Sequence, residues 1–208
     1  MAERTIYLYL SVPVCCFRKG MAREYFETEE VPPPSTVYGF LLSLVGEEDR
    51  YVYQGTRLAY ALLNRPQKSV SLRTTWRIKT KSPPGIGSNR RPDYQEMLIG
   101  LQMGIWVAPG KLAERLLSAS QNPTGVNRYG GLSLGESRDL INDLNWFPSW
   151  RQLEGQWLVM DEQGDLPLPI WVDHVGSSKT VYRQFSLKSD KLETPAEEDP
   201  RWITINIS

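Results

Sequence analysis

Eight basic residues occur between positions 65 and 91: Arg65, Lys68, Arg73, Arg77, Lys79, Lys81, Arg90 and Arg91. No Asp or Glu interrupts them. Within residues 69–81, Val70, Leu72, Trp76 and Ile78 share one parity, and Arg73, Arg77, Lys79 and Lys81 share the other with Ser69, Ser71 and Thr75. Side chains alternate between faces along a strand. The spacing therefore predicts a strand that lines up its cations on one side and sends its apolar set into the core. Spaced cations beside hydroxyls suit a phosphodiester chain, because each neutralised phosphate releases counterions. The plainer reading is a solvated strand face balanced by nearby acids. The acids of this chain, however, gather elsewhere, at residues 24–30, 47–49 and 190–199.

A second candidate is the run Gly125-Val126-Asn127-Arg128-Tyr129-Gly130-Gly131-Leu132-Ser133-Leu134-Gly135-Glu136-Ser137-Arg138. Glycines let backbone N–H groups approach an anion. Arg128 can pair with phosphate, Tyr129 can stack on a base, and Gly130, Gly131, Ser133 and Arg138 complete the set. Gly130 and Gly135 stand at P-loop spacing, but Glu136 occupies the position where such a loop needs Lys. An NTPase is excluded on that charge. The plainer alternative is a glycine-rich turn between strands.

The sequence offers little for catalysis. His174, the single histidine, sits in a strand-like run, where a structural role is the simpler reading. No nucleophile-elbow motif is present. Paired carboxylates lie in polar loops that lack the apolar surroundings needed to tune one acid against another. Cys15 and Cys16 are adjacent, which disfavours a disulfide and points to a reducing compartment. Two cysteines and one histidine make no zinc site, and no cofactor motif occurs. Trp146, Trp150 and Trp157 could form an aromatic surface, although core packing is the simpler reading.

The surrounding chain must position these groups. With 208 residues it can bury a substantial core. Lys plus Arg and Asp plus Glu both number 24, so the neutral total conceals a locally cationic segment. No apolar run reaches the ~20 residues that span a bilayer, and no signal peptide is recognised, so a cytoplasmic protein is expected. Fifteen prolines and sixteen glycines point to a turn-rich, β-rich plan. Strands are expected at 5–12, 56–64, 69–81, 97–107, 156–160, 169–175, 180–187 and 202–207. A loop is expected at 82–92 and a short helix at 112–119. Another helix is expected at 35–45, held extended before its start by Pro32, Pro33 and Pro34, capped by Ser35 and stopped by Gly46. Gly39 lies inside it, which suggests close approach of a backbone or ligand.

The first strand, Cys16-Phe17-Arg18, an acidic loop and Val-Pro-Pro-Pro-Ser-Thr-Val-Tyr-Gly at 31–39 together resemble the CRISPR-associated family five (Cas-five) subunits of type I Cascade complexes, in the RAMP superfamily. A type I-B-like branch fits. The likeness is dense over residues 5–46, looser through Arg73 and the glycine-rich loop, and fades beyond Trp146. It implies an α+β, ferredoxin-like (RRM-like) RAMP domain over residues 1–145. A β-hairpin thumb would be inserted at about 80–96, and a β-rich segment at 146–208 would pack beside the domain. It also implies a non-catalytic subunit that caps the backbone and holds the 5′ handle of the crRNA while target DNA is read. Its partners would be Cas-seven family backbone and Cas-eight family large subunits. Arg18 and Lys19 would border the RNA, and Tyr38 would either face it or flank the core. One branch of the family instead cleaves precursor RNA without metal through a tyrosine, lysine and histidine set, but His174 falls outside the matched segments. A protein-only interaction module is the third reading.

Overall fold

Alternating Ile6, Leu8, Leu10 and Val12 bury one side of β1 (Ile6–Cys15). The computed structural model describes residues 4–20, 25–76, 90–150, 153–175 and 178–207. After β1 come β2 (Tyr25–Phe26), α1 (Pro34–Val45), β3 (Arg57–Leu62), β4 (Gln67–Trp76), β5 (Arg90–Val107) and α2 (Lys111–Gln121). Then follow β6 (Asp143–Trp146), β7 (Glu154–Met160), β8 (Leu166–Trp171), β9 (Val181–Lys191) and β10 (Ile203–Thr204). The fold is α+β, with two helices and a ten-stranded, mainly antiparallel sheet ordered β6-β1-β5-β3-β7-β9-β8. β10 joins β3, while β2 and β4 join β5.

The 18-residue β5 is the centre of this arrangement. One edge pairs with β1 from Val107 to Leu98. The other edge pairs with β3 in its C-terminal half and with β4 from Ile99 to Arg90. Between β3 and β4, residues 63–66 face residues 100–102, one more residue on the first side than on the second. Gly100 absorbs the mismatch at φ +71°. Asn64 fixes it, donating to Gly100 O at 2.6 Å and accepting from Gln102 N at 2.9 Å. The burial of β5 steps out of phase here, from odd-numbered Leu101, Met103 and Ile105 to even-numbered Leu98, and odd-numbered Gln95 and Asp93 are buried further along. β1 changes with it, from Val12 to Cys15.

α1 covers the sheet with Val37, Tyr38, Phe40, Leu41, Leu44 and Val45. Gly46 ends it at φ +67° as expected. Ser35 is not its cap: the helix starts at Pro34, and the N–H groups of Thr36 and Val37 bond to Pro33 O. Gly39 is not explained by close packing, because a Cβ there would meet nothing within 4 Å. Gly104 is explained that way. A Cβ on it would come within 2.8 Å of Trp106 and Trp150; Trp106 in turn meets the rings of Trp150 and Trp157, with centroids 5.0 Å and 4.5 Å away, on the opposite side of the sheet.

Two expectations need correction. Val70 and Leu72 of β4 do not enter the core: they are 50% and 62% exposed. The odd-numbered side of β4 turns inward instead, toward buried Gln95 and Asp93, because a polar network fills that space. The second correction concerns β8, which stops at Trp171. His174 therefore lies in a turn, where Asp173 accepts from the N–H groups of Val175 and Lys179. Among the described residues no helix is long and apolar enough to cross a membrane.

Candidate nucleic-acid interface

Gly135 begins the site. Its φ of +112° and its surroundings both require glycine, since a Cβ would sit 2.7 Å from Asp139 Oδ2 and 2.8 Å from Cys16 O. That close approach lets buried Asp139 accept from Cys16 N at 2.9 Å and from Glu136 N at 2.8 Å. The glycine-rich loop is thereby fastened to the end of β1. Burial raises the Asp139 pKa, and these two backbone bonds work against that rise.

The next layer fastens the same loop to β5. Arg138 Nη2 donates to Gln95 Oε1 at 2.6 Å, and Gln95 Nε2 donates to Glu136 Oε1 at 3.1 Å. Arg138 also pairs with Glu136 at 2.9 Å, and Arg73 approaches the same carboxylate at 3.8 Å. Arg73 and Arg18 both lie over the Phe26 ring, 5.1 Å and 4.0 Å from its centroid. Arg91 pairs with buried Asp93 at 3.1 Å. The structure thus gathers Arg18, Arg73, Arg91 and Arg138 with Glu136 and Asp93 where the β4–β5 stem meets the loop. Lys19, half-buried, is tied to the following segment by its backbone N–H bond to Glu27 O.

The remaining candidates divide into three groups. Arg128, Tyr129 and Ser133 point to a different place, the outer face of α1, and Gly130 and Gly131 are exposed between them. Tyr38 is no surface residue: it is 1% exposed, and its hydroxyl donates to Arg50 O at 2.8 Å. Burial pushes that hydroxyl up to about 12. Arg77, Lys79 and Lys81 lie outside the described residues, and Arg90 is described only by its backbone pairing with Trp76.

Sequence reading missed Arg50. It follows Glu47, Glu48 and Asp49, so in the sequence it belongs to an acidic stretch. In the fold its guanidinium stacks 4.0 Å over Trp171 and donates to Val172 O at 2.7 Å. His174 lines clefts beside α1, a placement that nothing in the sequence of residues 172–175 indicates.

Comparison with solved structures gives the class. The fold matches a chain of a CRISPR RNA-guided surveillance complex with TM-score 0.62 at 14% identity, covering 93% of this chain and 92% of that one. It also matches a crystal structure of a Cas protein with TM-score 0.56 at 13% identity, covering 91% and 95%. No protein-family model matches the chain. In sequence it is 45% identical over 205 residues to the CRISPR-associated protein Cas5 of Myxococcus xanthus, covering 94% of this chain and 96% of the relative. The chain belongs to the CRISPR-associated Cas5 family.

Proposed function

We propose that this chain is a non-catalytic RNA-binding subunit of a type I Cascade, capping the backbone and holding the 5′ handle of the crRNA. The observation that carries this reading is the arginine cluster at the base of the stem. Arg73 and Arg138 meet at Glu136, Arg138 also approaches Asp139, Arg91 pairs with Asp93, and Arg18 lies over the Phe26 ring beside Arg73. Fixed, partly exposed arginines beside a braced glycine loop suit backbone phosphates. Base pairing by the guide would read the target DNA, with the protein reading shape, as in other RNA-guided effectors.

On this reading residues 1–145 are the ferredoxin-like RAMP domain, residues 146–208 pack beside it, and the β4–β5 stem carries the thumb. The other face of the stem suits a protein neighbour. Val70, Leu72, Tyr25 and Tyr94 are exposed together there, an apolar patch of the kind that subunits cover. A Cas-seven family backbone subunit is the proposed occupant, with a Cas-eight family subunit elsewhere on the complex. The test is co-expression of the chain with its complex and guide. Arg73→Glu combined with Arg138→Glu should strip the handle RNA from the assembly. Undiminished RNA retention would overturn the reading.

The place of His174 favours a second reading, metal-independent cleavage of precursor RNA. It lines one cleft with Tyr129 and Arg128, and a histidine within reach of a 2′-hydroxyl can act as its base. Incubating the protein with labelled repeat RNA in chelator tests this. Defined cleavage that disappears in His174→Ala would establish it, and intact RNA with wild type would end it.

A further inference from the structure

The outer face of α1 is the floor of a trough. Ser35, Gly39 and Ser43 succeed one another along it, and Arg50 and His174 line the same space. Two clefts of about 370 Å³ and 320 Å³ share these five residues and so form one depression. The glycine-rich loop walls it, with Arg128 and Tyr129 beside the first cleft and Ser133 and Gly135 beside the second.

Three features point to an occupant. First, Arg50, Arg128 and His174 reach the trough from three separate segments. Arg50 is held by Trp171 and Val172, and its buried Nε finds no acceptor among the described residues. Second, Tyr129 is 85% exposed at the lip, a ring with no partner among the ring contacts of the described residues. Third, Gly39 weakens the helix without serving any packing need, since a Cβ there touches nothing. Glu47 and Glu48 also border the first cleft. They oppose a second phosphate there and suit the amino group of a base.

We propose that the trough receives one unstacked nucleotide of the bound RNA. Its phosphate lies against Arg50 and Arg128 with His174 as a further donor, and its base stacks on Tyr129. This rests on the RNA-binding reading above and adds a subsite distinct from the arginine cluster. The test uses the full chain and short single-stranded oligoribonucleotides of the repeat's 5′ handle, with 2-aminopurine replacing one base at a time and RNA integrity checked on a denaturing gel. Wild type should quench the fluorophore at one position, and Tyr129→Ala should abolish that quench. Gly39→Leu, which fills the floor, should weaken binding about tenfold while thermal stability holds or rises. Tyr129→Ala changes an exposed residue, so its effect is independent of folding. Wild-type affinity and quench in both variants would overturn the trough and leave the RNA reading intact. Failure of wild type to bind any handle oligonucleotide would overturn both.

Discussion

Arg138 and Gln95 lie 43 positions apart in sequence and are joined by a hydrogen bond of 2.6 Å. Gln95 is fully buried, and it also donates to Glu136. One side chain of the central strand therefore sets both charged residues that follow Gly135. Gln95→Ala leaves two charged groups short of a partner in a partly buried place. A loss of about 1–3 kcal/mol is expected, measured by urea unfolding. RNA affinity should fall with it, since the loop that presents Arg138 loosens.

Two glycines predict opposite outcomes. Gly135→Ala forces a Cβ against Asp139 and Cys16 at a φ of +112°, so a destabilisation of about 1–3 kcal/mol is expected. Gly39→Ala meets no neighbour and should stabilise α1 by up to about 1 kcal/mol. Unfolding midpoints of the two variants, measured side by side, check the assignment. Equal effects would contradict it.

Cys15 gives a pH dependence. Burial, aided by the Asp139 and Cys16 charges, pushes its thiol from 9.0 up to about 12. Between those values the unfolded chain releases a proton that the folded chain retains. Stability from this group is thus complete below pH 9 and declines as pH rises toward 12. Unfolding free energies across that alkaline range should fall, and Cys15→Ser should flatten part of the slope. Native protein should also resist thiol-modifying reagents at Cys15 until it unfolds.

The arginine cluster predicts a salt signature. Replacing Arg138 with Gln removes one phosphate partner, so the slope of log affinity against log salt should shrink by about 0.7 to 1. Arg73→Gln should do the same. An unchanged slope in both variants would assign these arginines to intramolecular bracing alone.

Much of the frame was legible in the residues, because local chemistry decides it. The alternation in β1, the glycine stop of α1 and the glycine-rich loop all depend on neighbours in sequence. The faces of β4 were not legible. Alternation gave the correct period, but the inward side is chosen by Gln95, Asp93 and Glu136, which belong to distant segments. Arg73 was found as a cation, whereas its pairing with Glu136, 63 positions away in the chain, could not be. Tyr38 illustrates the same limit, since it follows a helix start in sequence but lies under Arg50 in space. The meeting of Arg50 and His174 at one helix face was illegible for a related reason: it joins segments far apart in the chain.

β5 carries its pairing with β1 through the Pro13–Gly100 crossing without losing register. The stem and the body therefore share one continuous beam rather than two rods joined by a pivot. The strand that forms the stem thereby runs unbroken into the side chains packed under α1. On the proposed reading, an RNA and a subunit held along this strand should then shift together, as parts of one lever.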